Sequence, residues 1–284
     1  MRKLFLFFLI LSLFEPLIAQ NAADTTYWKK GGNFALNITQ ASFTNWAAGG
    51  QNTVAGGSKL KLFANYNKAK TSWENVLNLG YGISKVEGLE LQKNDDIIDF
   101  QSKLGIKSGP KWFYSGLLAF KSQFAPGYSD ATNTVKISNL MAPAYLTLAF
   151  GMDYKPNDKF SVVFSPITGK LTIVNDKDLD GQFGVEAGKT TRMELGASLN
   201  TNFKQEIVKN VGLISDLGLF SNYLNNPQNI DVDWKLGINM KINSFLSASI
   251  NTQLIYDADI IDPVDQEAKI QFKELLGIGL SFVF

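Results

Sequence analysis

One stretch does most to limit the folds open to this chain. From 230 to 242, Ile230, Val232, Trp234, Leu236, Ile238, Met240 and Ile242 alternate with Asp231, Asp233, Lys235, Gly237, Asn239 and Lys241. A helix would spread those apolar side chains around its circumference, whereas a strand places them all on one face. The next stretch repeats the pattern: Leu246, Ala248, Ile250, Leu254 and Tyr256 oppose Ser247, Ser249, Asn251, Gln253 and Asp257. Met193, Leu195, Ala197, Leu199 and Phe203 oppose Arg192, Glu194, Ser198, Asn200 and Lys204 in the same way.

About twelve such segments follow one another, near 32–43, 53–67, 71–84, 95–107, 111–124, 143–154, 159–165, 190–205, 209–223, 229–242, 244–257 and 268–284. Most are ~10 residues or longer, the length of a tilted membrane strand, against ~5–6 in soluble sheets. Their connections alternate in length. Short ones fall at 67–70, 108–110, 156–158, 205–209 and 243, and long ones at 44–52, 85–94, 125–142, 166–189 and 259–267. The connection at 224–228 holds a long position but is short. Short turns on the periplasmic side and long loops outside are the rule for outer-membrane barrels. The expected fold is therefore all-β: a closed antiparallel transmembrane β-barrel of about twelve strands.

The N-terminus reads as an export signal. Arg2 and Lys3 precede the apolar run 4–14, too short for a spanning helix. The expected organisation is a signal peptide at 1–19, a short periplasmic segment at 20–31 and the barrel at 32–284. No cysteine is present, which excludes a lipid-anchored lipoprotein. A net charge of +1 gives no basic field for nucleic acid. Tyr66, Trp73, Trp112, Tyr154, Phe160, Phe203, Phe245 and Phe284 mark strand ends beside the short turns, as an interfacial girdle would. The expected surroundings are outer-membrane lipids.

The last strand, with Ile278, Leu280, Phe282 and Phe284 alternating to the final residue, resembles the terminal strand of outer-membrane barrels. That resemblance implies recognition by the barrel-assembly machinery. The segment Asn45-Trp46-Ala47-Ala48-Gly49-Gly50-Gln51-Asn52 is similar to an N-W-x-x-G-G-x-N motif of an uncharacterised family of Bacteroidota outer-membrane proteins, domain of unknown function 3078 (DUF3078). Pro143-Ala144-Tyr145-Leu146, Ser165-Pro166-Ile167-Thr168-Gly169-Lys170 and Phe220-Ser221-Asn222-Tyr223-Leu224 look like the same family. The resemblance implies location and fold, and no activity.

The sharpest chemical motif is Asp176-Lys177-Asp178-Leu179-Asp180-Gly181. Carboxylates at alternate positions before a glycine match the first half of an EF-hand loop, so Asp176, Asp178 and Asp180 are candidate Ca²⁺ ligands. The second half departs from that pattern, since the bidentate position holds Ala187. The competing reading is a solvated acidic loop. Catalysis is not expected: the chain has no histidine to serve as a base for serine or water. Asp95 and Asp96 read as a solvated loop edge.

The polar faces of the strands carry charges of both signs. Lys59, Lys61, Lys103, Lys107, Lys121, Arg192, Lys204, Lys235 and Lys241 meet Glu74, Asp99, Asp153, Glu194, Asp216, Asp231, Asp233 and Asp257. Two readings stand: a narrow polar channel for small solutes, or a lumen filled by ion pairs in a structural or scaffold barrel of an envelope complex. Eight strands can be filled by side chains and sixteen leave a channel, so twelve does not choose. A third reading is a secreted soluble β-sandwich.

Overall fold

The computed structural model describes residues 27–42, 51–261 and 267–284. The proposed signal peptide, residues 20–26 of the expected periplasmic segment and residues 45–50 of the Asn45–Asn52 motif lie outside them. The strands are β1 (Trp28–Ala41), β2 (Thr53–Lys68), β3 (Thr71–Val86), β4 (Gln92–Lys107), β5 (Trp112–Ser122), β6 (Gly127–Tyr128) and β7 (Lys136–Ser138). They continue with β8 (Ala144–Asn157), β9 (Phe160–Ile173), β10 (Thr191–Val208), β11 (Val211–Asn222), β12 (Ile230–Lys241), β13 (Leu246–Tyr256) and β14 (Gln271–Val283). Twelve of them form a closed antiparallel ring, while β6 and β7 make a separate hairpin within the loop between β5 and β8. The closed ring replaces the soluble-sandwich alternative.

Register fixes the faces. Lys235 pairs with Asp216 on β11 and with Gln253 on β13, so polar residues of adjacent strands share the inner face. The outer face carries exposed Leu148, Phe150, Leu195, Ile278 and Phe282. Exposed apolar surface of this extent on a closed barrel is the lipid-facing belt of a transmembrane barrel.

The strand boundaries differ from the sequence reading in two informative places. β1 begins at Trp28, inside the stretch expected to be a periplasmic segment, because Trp28 to Gly32 pair continuously with β2. β9 runs eight residues past the expected end at 165, to Ile173. Pro166 had suggested a loop. It falls where both the β8–β9 and β9–β10 ladders shift register, and a bulge accommodates a residue with no N–H to donate.

The seam that closes the ring is the shortest ladder. β1 and β14 pair only from Asn33↔Val283 to Asn37↔Gly279. Gly32 and Phe284 then exchange two backbone hydrogen bonds, at 2.8 and 3.0 Å. At Gly279 a side chain would run into the Leu36 carbonyl and come within 2.9 Å of the Asn37 Cα. Gly279→Ala is therefore expected to cost about 1–3 kcal/mol by forcing the seam apart. The readout is the temperature at which the folded, fast-migrating gel band is lost, which should fall for this variant while Gly212→Ala, open on its Cβ side, leaves it unchanged.

Candidate functional site: the lumen and its external cap

The inner face is a set of ion pairs. At mid-height Asp99 on β4 and Lys121 on β5 are register neighbours. Asp233 and Lys235 face them from β12. Lys121 Nζ meets Asp233 at 2.7 Å, and Lys235 Nζ meets Asp99 at 3.1 Å. Gln253 donates a further hydrogen bond to Asp233 at 2.8 Å.

These pairs span the lumen. β4 and β12 lie six places apart in the ring of twelve, on opposite walls. Twelve strands ~4.8 Å apart and tilted ~40° would enclose a circle roughly 24 Å across. A lysine and an aspartate cannot meet over that width, so the wall is drawn in and the four charges form a crossbar.

On one side of the crossbar the lumen is filled. Toward the short turns, Lys103 and Lys155 share Asp153, at 2.8 and 3.3 Å, and both also meet Glu74. Toward the long loops, Lys170 meets Glu194, Asp231 and Asp257 at 3.6, 3.1 and 3.3 Å. Arg192 meets Glu194 and Asp259 at 3.2 and 2.6 Å. Asp153 and Glu194 are fully buried, as are Thr168 and Thr172. Aromatic rings add bulk: the Lys170 ammonium stands 5.8 Å from the Tyr145 ring centre and 5.2 Å from that of Phe220.

On the other side a slit remains, a cavity of about 130 Å³ lined by residues such as Asn37, Gly57, Ser58, Asn251 and Gly277. Lys59 and Asp95 line it, and Asp95 is shared by Lys59 and Lys273, at 3.6 and 3.0 Å. This corrects the reading of Asp95 and Asp96 as a solvated loop edge. Asp95 is buried in the lumen wall, and Asp96 ties a loop down by accepting from the Phe124 and Ala125 N–H groups and from Lys93. Every residue of the expected lumen set lies on this inner face. Lys155, Lys170, Lys273 and Asp95 were missed, although Lys155, Lys273 and Asp95 continue the alternation of their strands; Lys170 was hidden because the bulge at Pro166 switches the inward face of β9 from odd to even positions.

The long loops form a cap. Lys136 on β7 reaches across to the loop 174–190 and meets Asp176 at 3.1 Å and Asp178 at 2.5 Å. Asn139 donates to Asp176 at 2.7 Å. Asp180 turns elsewhere and accepts from the Gly188 N–H at 2.8 Å. The candidate calcium ligands are thus split: Asp176 and Asp178 share the lysine ammonium, and Asp180 closes a turn. Among the described residues no three carboxylates stand together as a metal-ligand set. Beneath them Ala142, Val174, Leu179 and Val185 form a small buried core, with Phe183 packed against it. Gly184, with φ of +72°, passes close to the Arg192 guanidinium; only glycine suits both that backbone and that approach.

The girdle is larger than the sequence suggested. Trp28 packs on Tyr66 and Trp73, with ring centres 5.3 and 5.6 Å apart, and Trp112 packs on Tyr154 at 4.6 Å. Trp28 was not expected because it precedes the anticipated first strand. Lipid-facing belt, aromatic girdle and polar interior define an outer-membrane β-barrel protein.

Comparison with known proteins agrees in part. A family described as a protein of unknown function (DUF3078) matches residues 38–128, a stretch that includes the Asn45–Asn52 motif. No curated protein matches the sequence. Similar solved structures include an outer membrane channel from Pseudomonas putida F1, 13% identical, covering 93% of this chain and 100% of that one, with a TM-score of 0.42. The translocator domain of the autotransporter NalP from Neisseria meningitidis is 11% identical, covering 99% and 96%, at 0.39. Outer membrane phospholipase A from Escherichia coli is 10% identical, covering 93% and 94%, at 0.37. At these identities no activity carries over to this chain.

The cap has a pH signature. The Thr132 hydroxyl, followed by the Val135 and Thr134 N–H groups, holds the Asp130 carboxyl well below its ordinary value of 3.8. The Asn139 amide, the Asp178 N–H and Lys136 lower Asp176 in the same direction. Lowered folded-state values stabilise the cap above the unfolded value, and this stabilisation is lost as pH falls through the folded ones. Pepsin cleavage within 123–143 and 174–190 should therefore stay slow at the ordinary aspartate value of 3.8 and accelerate only below it. Lys136→Ala should be cut faster at that same pH; equal rates would show that the lysine does not pin the loops.

Proposed function

We propose that this protein is a non-enzymatic outer-membrane channel of narrow bore for small solutes. One observation carries the reading. Most of the ion pairs gather on one side of the lumen, and the other side keeps a slit lined mainly by small uncharged residues and glycines, with Lys59 and Asp95 as its charged members. The crossbar limits what passes to solutes little larger than hydrated ions.

A second reading, a filled-lumen scaffold of an envelope complex, is favoured by the crossbar itself, because charges bonded across a lumen oppose traffic through it. Under either reading the outer-membrane lipids are the immediate partner. The terminal strand β14 is the element the barrel-assembly machinery would engage. Calcium enters as a competitor of Lys136 for Asp176 and Asp178, which would loosen or reset the cap over the mouth.

Single-channel recording in a planar bilayer, with and without calcium, separates the two. Discrete ohmic steps are expected from the wild type, and larger steps from Asp99→Ala/Lys235→Ala. Both partners are removed together because a lone buried charge would itself destabilise the barrel. A silent bilayer with insertion verified would favour the scaffold.

A further inference from the structure

The charges left over after pairing are not random. Four inward-facing lysines lie toward the short turns: Lys29 on β1, Lys107 on β4, Lys204 on β10 and Lys241 on β12. None forms an ion pair with a described residue, and all four are exposed. Three of the acids at that end are already engaged. Glu74 and Asp153 are held by Lys103 and Lys155. Glu206 accepts from the Asn210 N–H at 2.8 Å and closes its own turn. Asp158 lies in the turn between β8 and β9, beside Lys159.

The slit continues the same sign. Lys61 faces inward between Asn33 and Asn78, its register partners, with no acid opposite. Above it two lysines, Lys59 and Lys273, share the single carboxylate Asp95. Asp216, the remaining acid at mid-height, accepts from Asn202 and pairs in register with Lys235 on the next strand. The unfilled side of the lumen is therefore positive along its length, and the short-turn mouth is its most positive part.

We infer that the short-turn mouth and the slit form an electropositive funnel that admits small anions, such as carboxylates and phosphates, in preference to cations. Passage of the anion rests on the channel reading above; the funnel's potential does not. A cleft lined by one sign of charge between low-dielectric walls raises the local concentration of the opposite ion, and salt weakens the effect.

Two measurements test this and can fail separately. The chain has no cysteine, so Asn239→Cys places one thiol on the inner face of β12, two residues from Lys241. Its labelling by a sulfonate-bearing methanethiosulfonate should exceed that by a trimethylammonium-bearing one by several-fold relative to free cysteine at low salt. Adding Lys107→Gln, Lys204→Gln and Lys241→Gln should erase most of the difference. Equal rates in the parent, or a faster cationic reagent, would overturn the funnel whether or not the barrel conducts. In the bilayer, a reversal potential under a KCl gradient should show chloride preferred, and Lys61→Glu should move it toward potassium. A cation-selective wild-type pore would overturn the anion class. A silent pore with charge-biased labelling would overturn passage and leave an anion-binding mouth.

Discussion

Every backbone N–H and C=O in the hydrocarbon of a membrane must find a partner within the protein, and that requirement organises this molecule. Eleven of the ladders in the ring follow from hairpins or near neighbours in sequence. The twelfth joins β1 to β14, the two ends of the described chain, and only that ladder turns a curved sheet into a closed wall. Once closed, the wall has one apolar face toward lipid, so the alternating polar residues all point into a shared interior. The chemistry of the lumen is a consequence of closure.

A lumen lined in this way must then deal with its charges. Burying a carboxylate such as Asp153 or Glu194 is tolerable only with a cation beside it, and each has two. Sharing is economical in space, because one lysine, Lys170, serves three acids near the loops. The crossbar extends the same demand across the barrel. Asp99 and Lys235 satisfy each other only because the walls approach, so the pairing and the flattened section support one another. The unpaired lysines sit where no such demand applies, at the solvated mouth and along the slit.

The alternation made strand number, inner face and loop parity legible, because a period of two leaves little choice about which side chains share a face. It could not reveal partners across the lumen. Asp99 and Lys235 are 136 residues apart in sequence, and nothing local connects them. The same holds for Lys136 and the Asp176 motif, where the residues looked like half of a calcium loop and the structure sets a lysine from another loop among them. Pro166 misled in the other direction. Proline is punctuation in most sequences, yet here a bulge absorbs it. Asp95 and Asp96 were misjudged because adjacent acids at a strand edge look solvated, and the loop that folds over Asp96 is more than two dozen residues away.

Strand number alone left open whether a twelve-stranded barrel is plugged or hollow. The distribution of side-chain volume is what divides this one. The strands from β5 through β11 turn inward Phe113, Tyr145 and Phe220, large rings that pack against the lysines pairing there. The strands β1 to β3, β13 and β14 turn inward Asn37, Gly57, Gly82, Ser249 and Gly277, none of which reaches far from the wall. A ring of equal strands thereby becomes a filled half and an unfilled half, with the crossbar as the partition. The backbone ladders and the outer face are common to both halves; only the inward side chains distinguish them. The sequence of the inner face, which the fold tolerates in many versions, is therefore the part of this chain on which its bore and its charge depend.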